Sequence, residues 1–274
     1  MKKTKILVLG STGMLGNAVV RLFCQSGYEV FATSRSGASK KYFSDHSNLT
    51  FIDNVDVENQ DSLTKIFAAS SPNIVINCVG IVKQLASSSD PLVALPINSI
   101  LPHRLARLCD ISGARLIHIS TDCVFSGEKG GYLEQDNPDA SDLYGRSKFL
   151  GEVDYPNAIT LRTSIIGHEL EGSRSLISWF LSQKGPVQGF SKAVFSGLPT
   201  VELAKVIRDY VIPNEALHGL YHVSADPINK FDLLTLVAKE YGFAYEILKN
   251  DSVVIDRSLN STRFRLATNF SPKA

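Results

Sequence analysis

Short apolar runs alternate with amphipathic stretches along the first half of the chain. The runs are four to six residues long, and we predict strands over Lys5–Leu9, Tyr28–Thr33, Leu49–Ile52, Ile74–Asn77, Arg115–Ile119 and Ala158–Arg162. Helical periodicity fills several of the intervals, over Leu15–Ser26, Gln60–Ser70 and Pro102–Ile111. Gly27 follows the first of these helices, and Pro72 ends the second. Strands that alternate with helices predict an α/β fold built on a doubly wound parallel sheet.

Two parts of the chain depart from this alternation. The Ser-rich stretch Val82–Pro96 predicts a long loop near the carboxyl ends of the strands, where such sheets bind ligands. After about Gly167 the sequence changes to aromatic residues, glycines and short polar connections. We therefore predict a dinucleotide-binding domain over residues 1–166 and a smaller C-terminal substrate-binding lobe over residues 167–274. Whether some segments of the lobe return to the main sheet stays open.

Composition and charge exclude several classes of protein. The 274 residues are 44% hydrophobic and 20% charged, and the formal net charge of +1 comes without any Lys/Arg-rich block, so we expect no nucleic-acid partner. The apolar run Ile6–Leu9 is shorter than the roughly 7–15 residues of a signal peptide, and no stretch approaches a membrane span. We expect a cytoplasmic protein with no membrane partner. The four cysteines show no metal-ligand spacing, which predicts buried thiols and no bound metal.

A glycine-rich turn follows the first predicted strand. Gly10, Gly13 and Gly16 lie between that strand and the first helix, where the backbone must approach a pyrophosphate and helix amides must face it. This placement predicts a Rossmann-type site for a dinucleotide. The residues of this turn that we assign to the cofactor are Gly10, Thr12, Gly13, Met14, Leu15 and Gly16.

The end of the second predicted strand indicates which dinucleotide binds. An NAD site usually has a carboxylate about 20 residues after the glycines, to bind the ribose 2′-hydroxyl. Here the chain has Ser34 and Arg35 instead, and a guanidinium suits a 2′-phosphate. We predict NADP(H) as the cofactor, with NAD(H) left open.

Tyr144 and Lys148 form a Y-x-x-x-K pair. Residues at i and i+4 share one face of a helix, so both side chains can reach one ligand. A neighbouring ammonium is expected to lower the pKa of the phenol toward the working range of an acid–base catalyst. Thr121, at the end of the fifth predicted strand, adds a hydroxyl that can donate to a developing oxyanion. Asn98 fits either a proton-relay residue or the N-cap of the following helix.

Together these motifs resemble extended short-chain dehydrogenase/reductases, and in particular dTDP-4-dehydrorhamnose reductases. The matching segments are Gly10–Gly16, Asn77, Asn98, Ser120–Gly127, Tyr144–Lys148 with Gly151 and Glu152, and Leu161–Ser164. The resemblance implies Thr121, Tyr144 and Lys148 as the catalytic triad. It also implies a cofactor pocket that includes Tyr144 and Lys148 together with Asp56, Val57, Cys78, Val79, Gly80 and Asn98.

The resemblance further implies a nucleotide-sugar substrate, reduced at its 4-keto group during synthesis of a surface polysaccharide precursor. The loop after Asn77 differs from that of rhamnose-pathway reductases, so a UDP-linked 4-keto-deoxy-N-acetylamino sugar fits as well as dTDP-4-dehydrorhamnose. Arg257 opens a segment similar to R-P-x-N-S, with Ser258 in the place of proline, and suits a diphosphate. The residues that we assign to the substrate are Lys83, Gln84, Asp122, Val124 and Arg257.

Three other activities occur on the same fold. Sugar-nucleotide dehydratases need Thr-Asp-Glu where this chain has Thr121, Asp122 and Cys123, and a thiol replaces a carboxylic acid poorly. Epimerases have no comparable marker and remain the enzymatic alternative. A non-catalytic regulatory subunit that binds NADP is the alternative from another class, and the intact Thr121, Tyr144 and Lys148 argue against it. A homodimer is the assembly that we expect.

Overall fold

A seven-stranded sheet forms the centre of the protein. The structure is a computed structural model and describes residues 3–43 and 46–272. Its strands are Lys5–Leu9 (β1), Glu29–Thr33 (β2), Leu49–Ile52 (β3), Ile74–Asn77 (β4), Arg115–Thr121 (β5), Ala158–Thr163 (β6), Ile165–Ile166 (β7), Val187–Phe190 (β8), Ala193–Phe195 (β9), Leu198–Pro199 (β10), Gly219–His222 (β11), Ile228–Asn229 (β12), Ile247–Asn250 (β13) and Ile255–Asp256 (β14). The large sheet has the order β11-β6-β5-β4-β1-β2-β3, and every pairing within it is parallel.

Helices cover both faces of this sheet. They are Met14–Gln25 (α1), Gln60–Ser70 (α2), Pro91–Ala94 (α3), Leu101–Ser112 (α4), Leu143–Leu150 (α5), Leu176–Leu181 (α6), Thr200–Val206 (α7), Lys230–Tyr241 (α8) and Thr262–Thr268 (α9). Successive residues of β1 alternate between two apolar clusters. Ile6 and Val8 pack with α1 and α7, whereas Leu7 and Leu9 pack with α2 and α4. The predicted doubly wound parallel sheet is confirmed. None of the helices in the described residues is both long and apolar enough to cross a membrane.

The segment before α4 is more helical than the sequence predicts. Asp90 accepts a hydrogen bond from the amide of Leu92 and caps α3, and Pro91 occupies the first turn. The helix then continues through the π-helical turn Leu95–Ile100 into α4. The prediction of a loop over Val82–Pro96 is therefore wrong from Pro91 onward. Asn98 also lies inside the helix, so its alternative assignment as the N-cap is wrong.

The C-terminal part of the chain lies in two places. The strand β11 extends the large sheet beside β6, and α7 packs against α1. The remaining short strands form small sheets of order β12-β9-β14, β13-β8 and β10-β7. With α6 and α8 they enclose a separate apolar cluster around Phe180 and Leu234. The boundary between the two domains stays a prediction.

Candidate active site

The strand β1 has β2 on one side and β4 on the other, so the order of the strands reverses at β1. A crevice opens there at the carboxyl ends of the strands. Gly10 has a φ of +77°, and a Cβ on it would lie 3.0 Å from the carbonyl carbon of Cys78. A Cβ on Gly16 would overlap the carbonyl oxygen of Gly10. Gly13 is the N-cap of α1 and has no side chain to cap the free amides of the first turn. Residues at this turn therefore fit a closely approaching anionic group such as a pyrophosphate.

A cavity of about 410 Å³, the first cavity, lies on the β2 side of this turn. The predicted cofactor residues that line it are Gly10, Thr12, Gly13, Ser34, Arg35, Asp56, Val57, Cys78, Val79 and Gly80. Ser34 is buried and its amide donates to the carbonyl of Ile52, whereas Arg35 is exposed at the rim. Ser39 and Leu85 also line this cavity, and no motif in the sequence indicates them.

A second cavity of about 340 Å³ lies on the β5 side. It shares Gly13 and Cys78–Ile81 with the first, so the two form one continuous cleft. The other predicted residues that line it are Met14, Leu15, Lys83, Gln84, Thr121, Asp122, Tyr144 and Lys148. The fold thus places the three predicted triad residues at one end of the cleft and Arg35 at the other.

The helix α5 positions Tyr144 and Lys148. Asp142 caps its N-terminus and accepts a hydrogen bond of 2.8 Å from the amide of Gly145. Lys148 is 5% exposed, and its ammonium donates to the carbonyl of Ile119 over 2.8 Å. Burial lowers the pKa of Lys148 to about 8, against an opposing effect of Glu152.

The phenol of Tyr144 stays protonated at neutral pH. Burial raises its pKa, Cys123 and Asp122 raise it further, and only the hydrogen bond with Thr121 is in the lowering direction. We expected Lys148 to lower this pKa, and the structure does not bear this out: burial dominates, and the charges that act on the phenol are those of Cys123, Asp122 and Asp142, all of which raise its pKa. A protonated phenol is the form that donates a proton in a reduction.

Thr121 joins the phenol to a buried carboxyl group. Its hydroxyl donates to Oδ1 of Asp122 over 3.2 Å and accepts from the amide of Cys123 over 3.1 Å. Asp122 is 5% exposed, and burial raises its pKa while hydrogen bonds with Cys123 and the charge of Arg257 lower it. Burial raises the pKa of the Cys123 thiol to about 12, so this thiol is neutral at physiological pH.

Asn98 lies behind the cleft, where it joins two parts of its wall. Its Oδ1 accepts from the amide of Ile81 over 2.9 Å, and its Nδ2 donates to the carbonyl of Ile81 and to Oγ of Ser147. The side chain is 1% exposed. It therefore holds the loop after β4 against α5 and does not itself line either cavity.

The predicted substrate residues lie in different places. Lys83 and Asp142 form an ion pair of 2.6 Å, which links the loop after β4 to the start of α5. Arg257 lines a third cavity of about 230 Å³, which shares Gln84, Asp122 and Cys123 with the second. Val124 is not brought to the cleft.

The physical reason is a single helical turn, Asp122–Val124, that follows β5, so Val124 does not continue the extended strand toward the cleft. This side chain is fully buried in an apolar cluster with Phe125, Tyr132 and Leu259. The assignment of Val124 to the substrate is therefore corrected to a packing role.

The structure also brings charged residues to the site. Lys230, the first residue of α8, lines the third cavity beside Phe195, and no sequence motif indicates it. Glu152 and Arg162, which both lie in segments of the family resemblance, form a buried ion pair of 2.6 Å. No cluster of three or more His, Cys, Asp or Glu side chains suited to a metal ion occurs in residues 3–43 and 46–272.

The fold, the glycine turn and the Tyr144–Lys148 pair together define an NAD(P)-dependent oxidoreductase of the short-chain dehydrogenase/reductase type. More narrowly, the chain belongs to the RmlD substrate binding domain family, whose profile matches residues 4–256. This match confirms the resemblance inferred from the motifs.

Two of the relatives are named for polysaccharide or glycan synthesis. The chain is 32% identical over 165 residues to the probable low-salt glycan biosynthesis reductase Agl14 of Haloferax volcanii, covering 58% of this chain and 52% of that protein. It is 29% identical over 256 residues to the spore coat polysaccharide biosynthesis protein SpsK of Bacillus subtilis, covering 89% and 82%. The dTDP-4-dehydrorhamnose reductase of Bacillus anthracis, solved in complex with NADP, superimposes with a TM-score of 0.78 at 19% identity, covering 97% and 93%. At that identity the superposition shows a shared fold.

Proposed function

We propose that this protein is an NADPH-dependent reductase of the 4-keto group of a nucleotide-linked 6-deoxysugar. The observation that carries this proposal is the continuous cleft from Arg35 through the glycine turn to Thr121, Tyr144 and Lys148. Relatives named for glycan and spore coat polysaccharide synthesis support a role in making surface polysaccharide precursors. A cytoplasmic location and a homodimer complete the proposal.

Each of the three triad residues in the cleft has a separate role in the reaction. When bound, NADPH supplies a hydride to the carbonyl carbon of the sugar. Tyr144 holds a proton on its phenol oxygen and transfers it to the carbonyl oxygen as negative charge develops there. The hydroxyl of Thr121 forms a hydrogen bond with the phenol and orients it. Lys148, held by the Ile119 carbonyl, provides a positive charge that stabilises the phenolate left behind.

The substrate remains either dTDP-4-dehydrorhamnose or a UDP-linked 4-keto-deoxy-N-acetylamino sugar. The test is to mix the protein with NADPH and a panel of dTDP- and UDP-4-keto-6-deoxysugars and to follow absorbance of the reduced nicotinamide. Stoichiometric loss of NADPH with one sugar supports the reductase and identifies the nucleotide. Interconversion of sugars without net NADPH loss would instead indicate an epimerase. Neither reaction, with NADPH bound, would indicate a regulatory subunit.

Arg35, at the rim of the first cavity, is the residue that we propose binds the 2′-phosphate of NADPH. We expect Arg35→Ala to weaken NADPH binding by about 10- to 100-fold, because one or two charge-assisted hydrogen bonds are lost. NADH lacks this phosphate, so its affinity should change by less than about threefold. Titration calorimetry with both cofactors measures the two effects, and Arg107→Ala, an exposed arginine of α4, is the matched control. Equal losses for NADPH and NADH would contradict the assignment.

Lys148 makes the reaction depend on pH. Its pKa of about 8 means that the ammonium is present at lower pH and is lost as the pH rises through that value. Since kcat/KM reports the free enzyme, we expect kcat/KM for NADPH to fall about tenfold per pH unit above pH 8. In Lys148→Arg the charge persists at high pH, so this decrease should disappear even if the overall rate is lower. A decrease that stays unchanged in Lys148→Arg would assign the titration to another group.

A further inference from the structure

The third cavity continues the cleft beyond the triad. It shares Asp122, Cys123 and Gln84 with the second cavity, so a ligand whose reacting group meets Tyr144 can extend into it. The charged residues that line it, among those the structure describes, are Asp122, Lys230 and Arg257. Two cations face one carboxyl group whose pKa is raised by burial. The cavity therefore has an excess of positive charge.

Lys230 is held over an aromatic ring. Its ammonium lies 4.0 Å from the centroid of the Phe195 ring, a cation–π contact that fixes the side chain in the cavity wall. Within residues 3–43 and 46–272 this ammonium has no hydrogen-bond or ion-pair partner. Burial lowers the pKa of Lys230, while Asp122 and Cys123 raise it. Lys230 is only partly exposed, and an ammonium with three unused donors that lines a cavity is suited to bind an anionic ligand.

Arg257 faces the same space from another element. Its Nε donates to the carbonyl of Phe125 over 2.8 Å, which fixes the plane of the guanidinium. The two terminal nitrogens have no partner among the described residues. A fixed guanidinium with free terminal nitrogens suits bidentate binding of a phosphate oxygen pair. The ammonium of Lys230 adds a point charge for a second phosphate group.

We propose that Lys230, with Arg257, binds the diphosphate of the nucleotide-linked substrate and selects diphosphates over monophosphates. The inference rests on the proposed function for the identity of the ligand. It places the sugar beside Thr121 and Tyr144 and the diphosphate in the third cavity. Lys230 is then the residue that distinguishes a nucleoside diphosphate sugar from a sugar carrying a single phosphate.

The test uses the protein saturated with NADP and titration calorimetry with UDP, dTDP, UMP and dTMP. We expect Lys230→Met to weaken binding of the better diphosphate by about 10- to 100-fold, since a hydrogen-bonded charge pair is lost. The matching monophosphate should lose less than about threefold. Methionine retains the apolar stem against Phe195, and Lys230→Arg restores the charge and should recover most of the affinity. Lys239→Met, an exposed lysine on the same helix, should bind as the wild type does.

The inference is overturned if Lys230→Met binds the diphosphates as tightly as the wild type. It is also overturned if the mono- and diphosphates lose affinity equally, or if the wild type binds neither diphosphate. Turnover with the panel of keto sugars tests the proposed function separately. A protein that oxidises no NADPH yet binds UDP or dTDP through Lys230 would lose the reductase assignment and retain this binding site. If the protein reduces a keto sugar and Lys230→Met binds the diphosphates as the wild type does, the reductase assignment is retained and this binding site is rejected.

Discussion

We expect Tyr144→Phe to lower kcat by about 10²–10⁴-fold, the usual contribution of a general acid–base group. The phenol is buried, its pKa is raised by that burial, and it shares a hydrogen bond with Thr121. Phenylalanine preserves the ring and removes the proton that the carbonyl oxygen must receive. Steady-state assays measure kcat as the rate of NADPH oxidation, with the sugar of the panel that the wild type reduces.

Affinity for NADPH in this variant should change by less than about threefold, because one neutral hydrogen bond contributes little to binding. Tyr245→Phe is the matched control, since that tyrosine is exposed and lies in the connection between α8 and β13. Near-wild-type kcat in Tyr144→Phe would remove Tyr144 from the mechanism. A large loss of NADPH affinity with an unchanged kcat would instead make it a binding residue.

The sheet was predictable because its signals are local. The strands β1, β3 and β4 and the helix α2 begin and end at the predicted residues, and β2, β5 and β6 differ by no more than two residues at one end. Each of these strands is a short run of mainly apolar residues bounded by glycine, proline or polar side chains, so the hydrophobic pattern and the residues that end it predict the same element. The strand β11 was not predicted, because its four residues pair only with β6, more than fifty positions earlier in the chain.

The site was predictable where a motif encodes geometry. The i, i+4 spacing of Tyr144 and Lys148 and the glycine turn are both local, and the structure brings them to one cleft. The surroundings of Lys83 and Val124 could not be predicted in this way. The ion pair of Lys83 with Asp142 spans 59 positions, and the direction of Val124 depends on one helical turn. Neither is visible in the pattern of a single segment.

Lys230 shows the same limit for binding residues outside the motifs. In the sequence it is one lysine at the start of an amphipathic helix, where a solvated position is the usual outcome. Its approach to Phe195 and to Asp122 depends on how the C-terminal strands pack beside the sheet. When charged residues from distant parts of the chain come together, the sequence contains no periodic pattern that predicts their contact.

A buried ion pair supports the cleft from below. Glu152 accepts hydrogen bonds from Nε and Nη2 of Arg162, at 2.7 and 2.6 Å, and from Oγ of Ser120, at 2.7 Å. The guanidinium lies 5.0 Å from the Phe125 ring centroid, and its Nη1 is 3.3 Å from Nε2 of His222. Burial lowers the pKa of His222 to about 3, so this imidazole is neutral and adds no charge. Arg162 is therefore the only cation in direct contact with the Glu152 carboxylate among the described residues.

We expect Arg162→Met to lower the free energy of unfolding by about 3–5 kcal/mol, because it leaves the Glu152 carboxylate buried without its partner. Arg208→Met is the matched control: its pair with Asp209 is partly exposed to solvent and should contribute less than about 1 kcal/mol. Adding Glu152→Gln to Arg162→Met removes the unpaired charge and should recover part of the loss. Urea denaturation of the four proteins measures these differences. A loss in Arg162→Met no larger than that in Arg208→Met would mean that water or a rearranged side chain compensates Glu152.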